Sequence, residues 1–176
     1  NYRFNKNIGG NGMNYQKLLE TQAKLDKTIV EGKGLVGQDL MQERILALQN
    51  EIQETANETR CFKYWSVKQP NQERTLEEVA DILHFILMLG NDLDVTAQEI
   101  EKVTAKAYKN LTVHFNVLSY TVSCIAMFSD KRTYYMETIS LFKGLVALLG
   151  FTNEQLEQAY FDKNKENHNR QESGTY

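Results

Sequence analysis

Five carboxylates between positions 51 and 81 have the types and spacing in this sequence that best suit metal or acid–base chemistry. The stretch EIQETANETRCFKYW contains Glu51, Glu54 and Glu58. Glu78 and Asp81 repeat the three-residue step further along the chain. Side chains three or four positions apart lie on one face of a helix, so each group would present its oxygens from one side. A solvent-exposed acidic face is the plain alternative for the three glutamates.

The surroundings of the second group favour a site over a solvent-exposed face. An apolar stripe follows the helix predicted there and consists of Val79, Ile82, Phe85, Ile86 and Leu89. Glu78 falls within that stripe and Asp81 at its edge, and a carboxylate that faces a core is costly unless charge and hydrogen bonds compensate it. Four carboxylates on two adjacent helices repel one another unless a hard divalent cation lies among them, and Mg²⁺ is the natural choice. We therefore predict a Mg²⁺ site formed by Glu51, Glu54, Glu78 and Asp81.

Length and composition narrow the class of protein. The chain has 176 residues, 41% of them apolar, which suits one domain with a real core. A net charge of −3 gives no electrostatic basis for binding nucleic-acid backbones. No apolar run is long enough to span a bilayer and no signal peptide is visible, so we expect a soluble cytoplasmic protein with no membrane partner. Cys61 and Cys124 lack a CxxC pattern and are interpreted as free thiols, with one long-range disulfide as the alternative.

Hydrophobic periodicity predicts one all-α domain over residues 13–176. The predicted helices cover residues 14–31, 39–60, 75–91, 96–109, 131–149 and 152–164. Thr75 with Glu78, and Thr152 with Gln155, have the spacing of capping boxes, and a cap is the alternative explanation for Glu78. Residues 111–128 suit a strand or a helix. The tail from Lys165 is too polar to pack by itself, and residues 1–12 are interpreted as a tag or a disordered arm ahead of Met13.

The carboxylate pattern and the segments around it resemble a known family. ExxE followed by ExxD is similar to the metal signature of the all-α nucleoside triphosphate pyrophosphatases, which include MazG-like enzymes. The segments ANETRCFKYWS, EEVADILHFILMLG and YFDKNKENHNRQESG resemble those of the dimeric dUTPases, and LLETQAKLDKTI resembles their first helix more weakly. Such enzymes occur in bacteria, in kinetoplastids and on phages. Residues 96–132 have no strong counterpart and are interpreted as a lineage-specific segment.

The resemblance implies a helical bundle that hydrolyses dUTP, and also dUDP, to dUMP on a Mg²⁺ cluster. By position, Glu51 or Glu54 would be the general base, with Glu78 and Asp81 as metal ligands, and Glu58 would lie behind them. A dCTP-directed or broader house-cleaning pyrophosphatase is the alternative within this class. A di-iron bundle would need Glu-x-x-His on two helices, and a metal-free interaction protein would leave the other motifs unexplained.

The resemblance also implies where substrate and partners bind. The predicted base-binding residues are Gln22, Asp26, Trp65, His84 and Phe85. The predicted phosphate-binding residues are Lys63, Lys163, Asn164, Asn167 and Arg170. Core packing is the alternative for His84 and Phe85, and a solvated helix end is the alternative for the C-terminal cations. The resemblance further implies a homodimer and, since some phage-borne relatives bind regulatory proteins such as repressors, a possible partner of that kind for residues 96–132.

Overall fold

The computed structural model describes residues 12–174, which form a bundle of α-helices. The helices are α1 (Tyr15–Gly32), α2 (Met41–Thr59), α3 (Gln72–Asp92), α4 (Ala97–Lys102), α5 (Leu111–Met127), α6 (Lys131–Leu149) and α7 (Asn153–Ser173). Within residues 12–174 there is no strand, which confirms the predicted all-α class. Most of the predicted tag and the C-terminal Tyr176 lie outside the described residues.

Helix α3 is the centre of the bundle. It packs against α1, α2 and α7, and contacts α6 at one end, while α5 and α6 form a hairpin that packs on α2 through α5. Its fully buried side chains include Ile82, Leu83, Leu87 and Leu89, which join the core with Leu18 from α1. Because α3 is covered on several sides, any polar residue it carries must either find a partner or face the seam between two helices.

The predicted start of the third helix is wrong. Helix α3 begins at Gln72, where the Asn71 side chain accepts a hydrogen bond from the Arg74 backbone N–H at 3.2 Å. Asparagine is among the strongest N-cap residues, and it captures the helix start one turn before Thr75. Thr75 is buried inside the helix and donates its hydroxyl to the Asn71 carbonyl at 2.6 Å. Glu78 therefore has no capping role that would explain its place in the apolar stripe.

The helix predicted over residues 96–109 is correct only in its first half. Helix α4 starts with the capping box of Thr96 but ends at Lys102. The chain then crosses α6 without helical structure, and the Lys106 backbone N–H donates to the Ser140 carbonyl at 3.0 Å. A Cβ atom at Gly144 would lie 1.9 Å from the Lys106 carbonyl oxygen, so the crossing depends on a glycine in α6.

The two segments left open or unassigned are helical. Residues 111–127 form α5, and its Phe115 side chain is buried in the core, so much of the 96–132 segment serves packing. The lineage-specific origin of that segment stays a prediction. Helix α7 has the predicted capping box at Thr152 but continues to Ser173, so its predicted end near residue 164 is wrong. A Glu166–Arg170 ion pair, one turn apart, supports this polar extension.

Two further expectations concern the thiols and the membrane. Cys61 is half-buried, Cys124 is buried, and neither forms a disulfide, as predicted. Among the helices of the described residues, none is both long and apolar enough to cross a membrane.

Replacing Gly144 by alanine tests the crossing of residues 103–108 over α6. The added methyl group would overlap the Lys106 carbonyl, so we expect Gly144→Ala to lower the free energy of unfolding by at least about 2 kcal/mol. Urea unfolding followed by circular dichroism measures this. Gly32→Ala is the matched control, because a Cβ atom there meets nothing within 4 Å and should leave stability unchanged or slightly raised. Equal stability of the two variants would contradict the close approach.

Candidate active site

Helices α2 and α3 are aligned antiparallel by an ion pair at each end. Arg44 pairs with Asp92 at one end, and the Arg74 Nε lies 3.4 Å from the Glu58 Oε1 at the other. Glu58 is therefore engaged by α3 and lies outside the group of carboxylates further along the seam. This register brings the ExxE motif of α2 opposite the ExxD motif of α3.

The seam between α2 and α3 concentrates negative charge. Carboxylate oxygens of Glu51, Glu54 and Glu78 all lie within 4.8 Å of one another. Burial, followed by the charges of Asp81, Glu54 and Glu78, raises the pKa of Glu51 from 4.5 to about 7. Burial, followed by the charges of Asp81 and Glu54, also raises the pKa of Glu78. The carboxylates therefore repel one another, and a cation among them would relieve this repulsion.

Helix α7 supplies a positive charge at this cluster. The Lys163 Nζ lies 2.8 Å from the Asp81 Oδ2, and both side chains are largely shielded from solvent. Burial raises the pKa of Asp81, and the hydrogen bond from Lys163 opposes that rise. The charges of Glu166 and Arg170, paired with each other on the next turn of α7, also act on Asp81. The ammonium group of Lys163 thus neutralises part of the charge of the seam.

The other predicted phosphate-binding residues of α7 lie along the same helix. Asn164 is buried, and Asn167 is half-buried. Lys163, Asn167 and Arg170 are spaced at three to four residues, which places them along one side of α7. That side meets α3 at Asp81.

An apolar cavity of about 300 Å³ lies one helical turn from the carboxylates. Its walls include Val30, Leu40, Ala47, Phe85 and Met88, with Asp26 as a buried polar group. Phe85 follows Asp81 by four residues on α3, and Ala47 precedes Glu51 by four on α2. The cavity and the carboxylates therefore lie along the same seam between α2 and α3.

A buried polar network connects this cavity to α7. The His84 Nδ1 lies 2.7 Å from the Gln22 Oε1, and the Tyr160 hydroxyl donates to the same oxygen at 3.1 Å. The Gln22 Nε2 donates to the Asp26 Oδ1 at 2.8 Å. Burial lowers the pKa of His84 to about 4, so the ring is neutral near pH 7. Gln22 and His84 therefore reach the cavity through Asp26 and do not line it themselves.

The aromatic residues of the α2–α3 loop lie apart from the cavity of their own chain. Trp65 is 65% exposed and packs edge-on against Tyr64 and Phe62, with ring centroids 5.0 Å and 6.2 Å away. The Lys63 Nζ lies 5.6 Å from the centroid of the Phe62 ring. Neither Trp65 nor Lys63 lines the cavity beside Phe85. The structure therefore does not bring Trp65 and Phe85, two of the predicted base-binding residues, together.

Sequence reasoning missed four residues at this site. Ala47, Met88 and Arg44 line the cavity, Arg44 also pairs with Asp92, and Tyr160 donates a hydrogen bond to the polar network. Ala47 lies four residues before Glu51, and Met88 lies seven residues after Asp81. This helical spacing could have predicted that both lie on the same faces as the carboxylates. Nothing in the sequence pattern distinguished Tyr160 from a core tyrosine.

The all-α fold and the carboxylates that meet between α2 and α3 agree with the all-α class of nucleotide hydrolases that the motifs resemble. A sequence model of a dUTPase family matches residues 14–175, nearly the whole chain. The chain therefore belongs to this dUTPase family and is a dUTP diphosphatase, as its motifs predicted. A search among curated proteins finds no match.

The buried carboxyl of Asp26 gives stability a specific pH dependence. Burial raises the pKa of Asp26 from 3.8 to about 6. Between these values the folded state binds more protons than the unfolded state, so this group makes the protein less stable as pH rises through that window. We expect Asp26→Asn to match the wild type near pH 4 and to be more stable above pH 6, by on the order of 2 kcal/mol.

Urea unfolding at several pH values, compared as the difference between variant and wild type, measures this effect. Asp162 is the matched control, because it also accepts a hydrogen bond from a glutamine four residues earlier but is exposed. Asp162→Asn should show no pH-dependent difference. If the difference in the free energy of unfolding between Asp26→Asn and the wild type does not change with pH, Asp26 is not buried as described.

Proposed function

We propose that this dUTPase hydrolyses dUTP, and also dUDP, to dUMP with Mg²⁺ held by Glu51, Glu54, Glu78 and Asp81. The observation that carries the proposal is the carboxylate cluster placed one helical turn from an apolar cavity. The base would enter the cavity and the polyphosphate would extend along the α2–α3 seam to the carboxylates.

The donor set fits a hard divalent cation. It consists of carboxylate oxygens, three of which come within 4.8 Å of one another from two helices. Oxygen ligands of this kind suit Mg²⁺, which keeps several waters and also binds substrate phosphates. When bound, such an ion polarises phosphoryl oxygens and lowers the pKa of a coordinated water.

The protein's own residues would accept a proton from the attacking water, hold the polyphosphate and bind the base. A carboxylate of α2 accepts the proton of the attacking water, and Glu51 and Glu54 are the two candidates. Glu51 is half-buried beside Asp81, whereas Glu54 is exposed and accepts a hydrogen bond from Asn50 at 2.8 Å. Comparing variants of Glu51 and of Glu54 would show which of the two carboxylates is the general base.

Cationic and amide groups of α7 would hold the polyphosphate. Lys163 already lies at Asp81, and Asn167 and Arg170 follow on the same side of the helix. Charge-assisted hydrogen bonds from such groups are the usual means of binding phosphate oxygens. In the cavity, the Phe85 ring offers an aromatic surface to the base, and Asp26 offers the polar contact.

We further propose that the enzyme is a homodimer in which Trp65 reaches the site of the other protomer. Trp65 is exposed and does not line the cavity of its own chain. Leu46 on α2 and Tyr120 and Met127 on α5 are also exposed, and α2 and α5 pack side by side. Exposed apolar residues on two neighbouring helices are what an interaction surface would provide. A regulatory protein partner on this face, and a cytoplasmic location, stay predictions.

A substrate panel with carboxylate variants tests the proposed activity. We expect hydrolysis of dUTP and dUDP to require Mg²⁺ and to exceed that of dCTP and dTTP. Glu51→Gln and Asp81→Asn should each lower the rate by at least about two orders of magnitude, because each loses a catalytic or ligand carboxylate. Both should keep their helical circular dichroism and lose most of the rise in melting temperature that Mg²⁺ causes in the wild type.

Glu77→Gln is the matched control for those variants, because Glu77 is an exposed neighbour of Glu78 on α3 and lies outside the cluster. It should keep wild-type activity. Near wild-type hydrolysis by either active-site variant would show that the assignment of the cluster is wrong. A preference for dCTP would favour the alternative substrate.

Complementation between two inactive variants tests the dimer and the role of Trp65. Light scattering should give about twice the chain mass of 20.4 kDa. In a mixed dimer of Glu51→Gln and Trp65→Ala protomers, one site combines an intact Glu51 with the intact Trp65 of the other protomer. We therefore expect co-expression to restore activity above that of either variant alone. No restoration, or a fully active monomer, would contradict a shared site.

A further inference from the structure

Gln22 is the centre of a buried network whose members come from three helices. It is 0% exposed and lies on α1, while His84 belongs to α3 and Tyr160 to α7. Its amide oxygen is the acceptor for the Tyr160 hydroxyl at 3.1 Å and lies 2.7 Å from the His84 Nδ1. Its amide nitrogen donates to the Asp26 Oδ1 at 2.8 Å. The His84 and Tyr160 rings are stacked with centroids 4.2 Å apart.

The chemistry of these partners fixes which way the Gln22 amide points. An ionised carboxylate only accepts hydrogen bonds, so the NH₂ group must face Asp26. The amide oxygen then faces α3 and α7, where the Tyr160 hydroxyl donates to it, and the neutral His84 ring must carry its proton on Nδ1. With both donors in place, a rotation of the amide by half a turn would set its NH₂ group against two donors. Tyr160 thus holds the amide in one orientation.

Asp26 transmits this orientation to the cavity. It is 8% exposed and is a polar wall group of an otherwise largely apolar cavity. One carboxylate oxygen is held by Gln22. Among the described residues, no hydrogen bond to the second oxygen is present, so that oxygen remains an acceptor for a ligand in the cavity.

We propose that Tyr160 is a positioning residue for the pyrimidine subsite, and that it acts through Gln22 to aim the Asp26 carboxylate at the N–H group of a uracil ring. The inference rests on the proposed function, in which the base enters this cavity. Uracil carries a hydrogen on its ring N3, whereas cytosine presents a lone pair there. A fixed acceptor favours the first and repels the second, and a buried polar group left unpaired is what makes such discrimination large.

Removing only the Tyr160 hydroxyl tests the proposal. Tyr160→Phe keeps the ring that stacks on His84 but deletes one donor to Gln22. We expect KM for dUTP to rise about tenfold, as for the loss of one buried hydrogen bond. The value of kcat should stay within about twofold, because the polyphosphate end is untouched, and the ratio of kcat/KM for dUTP over dCTP should fall.

Tyr135→Phe is the matched control. Tyr135 is fully buried, and its hydroxyl donates to the Ile86 carbonyl at 3.0 Å on the other side of α3. This variant should lose a comparable amount of stability and keep both KM and the selectivity ratio. If Tyr135→Phe and Tyr160→Phe change KM equally, the effect of Tyr160 is general loss of stability and the inference is wrong.

A double-mutant cycle shows whether Tyr160 acts through Gln22. Gln22→Ala should raise KM, and adding Tyr160→Phe to it should cause no further change, because the group that Tyr160 orients is gone. Additive effects would overturn the positioning role. Calorimetric binding of dUMP to the same set of variants gives a second measurement that does not depend on turnover.

Asp26→Ala separates failure of this inference from failure of the proposed function. If Asp26→Ala leaves dUMP binding unchanged, the base does not bind in this cavity, and the proposed function is at fault. If Asp26→Ala weakens dUMP binding while Tyr160→Phe does not, the subsite is right and the role of Tyr160 is wrong.

Discussion

The negative charge between α2 and α3 is the constraint on which the rest of the structure depends. Three carboxylates converge there from two helices, and a fourth, Asp81, completes the group. Partly buried like charges destabilise a fold unless a cation compensates them. Within the protein, Lys163 of α7 supplies that positive charge. Its contact with Asp81 holds α7 against the seam between α2 and α3. The position of α7 therefore depends on the same carboxylate charge that the proposed metal site uses.

Helix α3 arranges the site as a line. Asp81, Phe85 and Met88 follow one another along a single face, which meets the carboxylates at one end and the apolar cavity at the other. With a rise of 1.5 Å per residue, this line is about 10 Å long, the scale of a nucleoside with its first phosphate. Helix α3 also packs against α1 and α7, so neighbouring helices support this line.

Sequence reasoning found the parts of the site that follow from helical spacing and missed those that follow from packing. The carboxylates of α3 were recognisable because a charge inside an apolar stripe is unusual, whatever the fold, and those of α2 because they have the same three-residue spacing. The start of α3 was misplaced because Asn71 and Thr75 are both good caps and only the packed helix decides between them. The early end of α4 depends on the contact of Lys106 with Gly144, which are far apart in sequence. Long-range contacts of this kind leave no periodic signal.

In the proposed mechanism, helix α7 would link base selectivity to phosphate chemistry, because it carries one residue for each. Tyr160 holds the network behind the cavity, and Lys163, one turn further, pairs with Asp81 at the carboxylates. Pairing its polar groups stabilises a buried network, and Tyr160 pairs with the Gln22 oxygen from outside the α1–α3 pair. Since both contacts come from the same face of one helix, a shift of α7 that loosens one must loosen the other. Base recognition and charge compensation are therefore expected to depend on the same docking of α7.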